Sequence, residues 1–215
     1  IAVTLVALSG GYYAGGWLVD QSPKLNRLYY GILAAAVYLA ATVPMVKPLC
    51  LKLMSLPLAW ATLLAAMFLF LVPLALLAMT GPFLVRLLTQ SIQNVGLNVG
   101  RLSAISTLGS VAGTVLIGYV LIPRFPNSVT MLITTGILIA LAAVYLIVWG
   151  RGAGGNALLL ALGLSLVFGY SGLRGQFGDT MKYGGVNWDV LYRANSNYGE
   201  LQVIEYRSGA VVERR

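Results

Sequence analysis

The sequence predicts an all-α polytopic membrane protein of about six transmembrane helices that ends in a short, β-hairpin-like extrinsic tail. Three observations carry this expectation. The 215 residues are 59% hydrophobic and only 9% charged, with a mean hydropathy of +0.84, and so few charges do not cover the surface of a water-soluble domain. The apolar residues gather into six runs, each close to the roughly 20 residues that a helix needs to cross a hydrocarbon core of about 30 Å. The closing stretch, SNYGELQVIEYRSGAVVERR at 196–215, alternates with the period of a strand.

The six runs cover 1–19, 28–46, 56–80, 102–122, 129–149 and 156–172. In the first, Gly11 and Gly15 lie four apart on one helix face, a spacing that lets two backbones approach closely. In the third, Pro73 removes a main-chain donor and is expected to kink the helix near Leu69; a kink is favoured over a gating hinge. After Gly81-Pro82, the stretch FLVRLLTQSIQNVGLNVGR mixes apolar residues with Arg86, Gln90, Gln93, Asn94 and Asn98. That mixture suits an amphipathic segment lying at the interface.

The fourth run repeats the close-packing signal at Gly109 and Gly113, and Gly118 extends it. It also aligns Ser103, Ser106, Thr107, Ser110 and Thr114. Their hydroxyls can bond to carbonyls of their own helix or of a neighbour, giving tight packing; the alternative is a polar substrate path. No acid or base lies deep in any run, although ion-coupled pumps usually carry one.

Beyond the sixth run the composition changes. Residues 1–173 form the helical domain, 174–195 read as a Gly- and Asn-rich linker with Tyr183, Trp188 and Tyr192 as headgroup-level anchors, and 196–215 read as the start of an extrinsic β domain. Leu201 and Val203, with Ile204 or Tyr206, are expected to oppose Gln202 and Glu205; a turn at Ser208-Gly209 then leads to a returning strand. A lone hairpin is marginal in water, so the tail is expected to pair with further strands, from a missing C-terminal domain or from other protein subunits. Both ends read as cut.

Charge is distributed unevenly. Residues 1–178 hold nine Lys/Arg and a single acid, Asp20, whereas 179–215 hold five of each sign. The cations stand singly between apolar runs, where they suit anionic headgroups, and no basic cluster with interleaved aromatics points to nucleic acid. Cys50 is the one cysteine and there is no histidine, so no internal disulfide, Cys-based metal site or imidazole chemistry is expected, and no cofactor motif is found. The glycine-rich GRGAGGN at 150–156 follows no strand and lacks the Lys-Ser/Thr of a phosphate loop. Asp20 lies close to Lys24 and Arg27, which predicts an ion-paired loop latch rather than a conformational switch. Arg86 and Arg101 are expected to hold lipid phosphate or cap a helix end, with a substrate anion as the alternative. Taking the loops alternately, the cations divide five against five, so the positive-inside rule gives no orientation.

Three stretches together resemble one family, the bacterial membrane proteins in which a transporter-like helical region precedes a spermidine-synthase domain. They are IAVTLVALSGGYYAGGWLVDQSP at 1–23, FLVPLALLAMTGPFLVRLL at 70–88 with GRLSAISTLGSVAGTVLIGYVLIP at 100–123, and SNYGELQVIE at 196–205. GWLVDQSPKLNR at 16–27 also resembles the Gly-x-x-x-Asp loop of major facilitator transporters, although Gln21 stands where a basic residue is expected. The resemblance implies a partly facilitator-like helical region in a bacterial inner membrane, and a tail that opens a synthase module. An aminopropyltransferase of that family also needs a glycine-rich donor loop and acidic residues around the amine. Past residue 190 there is no such loop, and the acids are Glu200, Glu205 and Glu213.

The function expected is therefore a membrane anchor or scaffold subunit without a catalytic core. One alternative is a transporter-like half moving a small polar or cationic solute past the hydroxyls of the fourth run and Tyr12, Tyr13 and Tyr119, whose ring faces can hold an amine. The other is a fragment of a membrane-bound aminopropyltransferase.

Overall fold

The architecture is that of a computed structural model, which describes residues 1–21, 24–89, 95–148, 155–176, 180–183, 186–196, 199–208 and 211–214. Among the described residues, six helices are long and apolar enough to cross a membrane: α1 (Ala2–Gln21), α2 (Leu25–Leu53), α3 (Leu58–Leu88), α4 (Val95–Arg124), α5 (Asn127–Val148) and α6 (Gly155–Gln176). A four-stranded antiparallel sheet follows, with β1 (Thr180–Tyr183), β2 (Val186–Ser196), β3 (Gly199–Ser208) and β4 (Val211–Arg214) in sequential order.

Helix α2 is the hub, packed on α5, α6 and the middle of α3, while α1 lies along α3. Small residues allow this closeness: Ala35, Ala36, Ala40 and Ala142 are fully buried, so the helices meet through backbone proximity as much as through large side chains. One cluster, containing Val19, Leu28, Ile32, Phe83, Ile139 and Leu146, joins the end of α1 to the start of α2 and the ends of α3 and α5. At its rim the rings of Tyr29 and Tyr145 stack 3.7 Å apart, and the Tyr145 hydroxyl donates to Asn26 Oδ1 at 3.0 Å.

Pro73 acts as its chemistry requires, through a turn wider than a simple kink. Met67–Leu71 is a π-helical turn, and in that i→i+5 register the donor for the Phe68 carbonyl would be residue 73, where proline has none. The Tyr38 hydroxyl of α2 supplies the missing bond to that carbonyl, at 2.5 Å. Helix α4 has a related arrangement. A second π turn, Leu116–Leu121, precedes Pro123, and the Arg124 guanidinium donates to the carbonyls of Tyr119 and Val120.

Several expectations are corrected. The stretch expected at the interface is divided between two long helices: α3 continues through Thr80–Leu88, and α4 begins at Val95. Gln90, Gln93 and Asn94 lie outside the described residues. The expected linker is mostly ordered structure, since α6 continues to Gln176 and β1 and β2 occupy 180–183 and 186–196. The tail is therefore no lone hairpin; its further strands come from its own chain. Nor does the alternation bury its apolar face: Leu201 and Val203 are exposed and Glu205 is buried.

Candidate functional site

Glycines in α1 and α4 have opposite environments. A Cβ at Gly11 would collide with the Ala75 carbonyl and the Ala78 methyl, and one at Gly15 would lie 2.8 Å from Met79 Cα. These two glycines let α1 lie against α3. At Gly109, Gly113 and Gly118 an added Cβ would meet nothing within 4 Å, so the packing expected there is not made within the described chain. Close approach occurs instead at Gly172, which the spacing rule did not single out; a Cβ there would lie 2.6 Å from Val43 Cγ1 of α2.

Helix α4 stands apart from the other helices. Within Val95–Val115 no residue is buried, and Ser103, Ser106, Thr107, Ser110 and Thr114 all face outward. Thr107 donates to the Ser103 carbonyl at 2.9 Å and Thr114 to that of Ser110 at 2.8 Å, the self-satisfying bond of a hydroxyl within a helix. Tyr12, Tyr13 and Tyr119 are exposed too, with Tyr12 lying beside Gly81. These hydroxyls and rings line none of three cavities: one between α5 and α6, one at the α2–α3 turn beside Cys50, and one near Lys47, Asn127 and Ser171.

The latch partner also differs from the expected one. Arg86 Nε lies 3.9 Å from Asp20 Oδ1, joining the end of α1 to that of α3, while Lys24, just before α2, and Arg27, in its first turn, are exposed. Helices α1 and α3 run in the same direction through the bundle, so their C-terminal ends lie together. Arg86 is thereby a protein ion-pair partner; Arg101, near the start of α4, is exposed.

At the opposite end of the bundle, β2 touches the end of α4 at Ile122–Arg124. The sheet register places Glu205 of β3 between Asp189 of β2 and Arg214 of β4. Among the described residues no group of three or more Cys, Asp and Glu side chains gathers into a metal site. No protein-family model, curated protein or solved structure matches the chain.

Proposed function

We propose that the chain is a multi-pass membrane anchor that holds an extrinsic β module at one face of the bilayer. The observation that carries this reading is the junction: α6 reaches Gln176, β1 begins at Thr180, and β2 rests on the end of α4. The sheet is thus tethered by one helix and braced by another. The large outward-facing apolar residues of the helices, Leu108, Ile137, Ile147, Leu160 and Leu166 among them, would be untenable in water and are at ease against lipid. On this reading the membrane is a bacterial inner membrane, which suits α-helical spans, and the module is the opening of a domain similar to a spermidine synthase. An aminopropyltransferase would require that domain's catalytic remainder. A solute path along α4 is not favoured, because the hydroxyls that would line it face outward, and those of Thr107 and Thr114 bond to their own helix.

Alkaline washing of membranes from cells expressing the chain tests the anchor. Retention in the pellet, with solubilisation by detergent, is the expected result; release by alkali alone would overturn the six-span reading.

A further inference from the structure

The smallest of the three cavities, of about 130 Å³, is also the most enclosed, and it lies where the end of α2, the start of α5 and the end of α6 meet. Val43 and Met131 give it apolar surface, and polar groups come from all three helices: Lys47 of α2, Asn127 and Ser128 of α5, and Ser171 of α6. Sites for drug-sized ligands have about 300–1,000 Å³. This one has room for a small polar group and little more.

Its charge has one sign. Lys47 is half-buried, and among the described residues no acid lines the cavity. The first N–H groups of a helix have no acceptor within it, and its aligned peptides place partial positive charge there; the helix that opens on this cavity is α5, with 22 residues. The N–H groups of Val129 and Thr130 return to the Pro126 carbonyl at 2.9 and 3.1 Å, which fixes that end of the helix. Asn127 is exposed, and its amide adds two donors. Lys47 and Ser128 also take part in interactions within the chain, but an ammonium has three donors and one partner does not exhaust it. Donors and positive charge that converge from separate helices favour an anion over water, because charge-assisted hydrogen bonds are roughly twice as strong as neutral ones.

We propose that this cavity binds a phosphate group, whose oxygens accept from the Lys47 ammonium and the Asn127 amide at the start of α5. Its level, which rests on the six-span reading above, suits that ligand. Helix α2 has 29 residues, about 44 Å at 1.5 Å per residue, against a hydrocarbon core of about 30 Å. Its last turns therefore emerge among the headgroups, and Lys47 stands about 9 Å from its end. Basic pockets between transmembrane helices bind acidic lipid headgroups. An anionic phospholipid is thus the nearest source of the phosphate, and dissolved inorganic phosphate is the other.

Calorimetric titration of the full chain in detergent micelles tests it, with dihexanoyl phosphatidylglycerol, dihexanoyl phosphatidylcholine and inorganic phosphate as separate probes. Saturable phosphatidylglycerol binding is expected, weakened about tenfold by Lys47→Gln. Phosphatidylcholine, whose own cation offsets its phosphate, should bind less tightly. Lys52→Gln removes an exposed cation from the last turn of the same helix, outside the cavity, and should leave the affinity unchanged. Asn127→Asp keeps the side-chain shape, suits a helix N-terminus and sets a negative charge at the cavity. It should abolish binding, and it tests the site even if Lys47→Gln does not fold; thermal melting reports the fold of each variant. Phosphatidylglycerol binding alone assigns the site to lipid, whereas inorganic phosphate binding that Asn127→Asp abolishes extends it to the dissolved ion. The assignment is overturned if neither phosphate source binds, or if folded Asn127→Asp binds as wild type does. Equal losses in Lys52→Gln and Lys47→Gln would overturn it too, as diffuse attraction, and so would equal affinity for phosphatidylcholine, as acyl-chain binding. Release of the chain by alkaline washing would remove the lipid source, while the inorganic phosphate titration would still read the cavity by itself.

Discussion

The absence of a side chain has different consequences in α1 and α4. At Gly15 the space for a Cβ is already taken by Met79 and Pro82 of α3, so Gly15→Leu must push the helices apart. Overpacking of this kind costs about 1–3 kcal/mol, or more where backbone is struck. Gly109→Leu projects into open space and should change stability by no more than about 0.5 kcal/mol. Comparing unfolding midpoints of the two variants in detergent checks the contrast; equal losses would show that α4 is packed as tightly as α1. The glycine spacing was legible in both helices, since it depends only on helical periodicity, but spacing does not say whether a partner is present. The latch shows the same limit. Lys24 and Arg27 are near Asp20 along the chain, whereas Arg86 is near it only because α1 and α3 run the same way. With side chains 74% and 61% exposed for Asp20 and Arg86, the pair contributes less than about 1 kcal/mol and serves mainly to mark register.

At the scale of the element, the two π turns show how apolar helices accommodate proline. Each widens the turn before Pro73 or Pro123, and each has a polar side chain bonded to carbonyls of that turn: Tyr38 from a neighbouring helix to the freed Phe68 carbonyl, and Arg124, the residue after Pro123, to those of Tyr119 and Val120. Tyr38→Phe should cost about 1–3 kcal/mol, because it leaves the Phe68 carbonyl without a donor in apolar surroundings. Pro73→Ala restores a main-chain N–H nearby, so the same tyrosine change should cost less than half as much in that background. A double-mutant cycle by SDS-titration unfolding measures the coupling; additive losses would mean that Tyr38 stabilises the bundle through its ring alone, which lies 6.1 Å from that of Phe68. The position of the perturbation was legible from Pro73, but its form was not, because the π turn depends on a donor 30 residues away. Strands β1 and β2 were hidden for another reason. Gly-Gly at 184–185 falls between Tyr183 and Val186, which pair across the sheet, and two residues likewise separate Ser196 from Gly199 and Ser208 from Val211. Two-residue connections are the commonest hairpin links, and Gly-Gly was the available signal. The surrounding Asn and Gly residues outweighed it in a reading based on composition.

For the whole molecule, six consecutive crossings, as proposed above, would impose a parity. The turn between α2 and α3, the end of α4 and the sheet after α6 must share one side, while the segment between α1 and α2 lies on the other. The packing agrees with this independently, since β2 meets Ile122–Arg124 at one end of the bundle and Asp20 meets Arg86 at the opposite end. The number of long apolar helices was legible because each apolar run is long enough to cross by itself, whereas the sidedness was not, because five cations fall on each face. Single cysteines resolve it in a Cys50→Ser background. Ser55, Leu201 and Lys24 are all exposed, and none belongs to a helix. In sealed membrane vesicles an impermeant maleimide should label Ser55→Cys and Leu201→Cys together and leave Lys24→Cys protected, with the pattern inverted in vesicles of opposite orientation. Joint labelling of Lys24→Cys and Ser55→Cys would mean that α2 does not cross. Labelling of Leu201→Cys with Lys24→Cys, apart from Ser55→Cys, would remove one crossing among α3–α6, and loss of α5 or α6 would place the sheet away from the end of α4 that braces it. The labelling pattern therefore tests the helical topology and the bracing of the extrinsic module in one measurement.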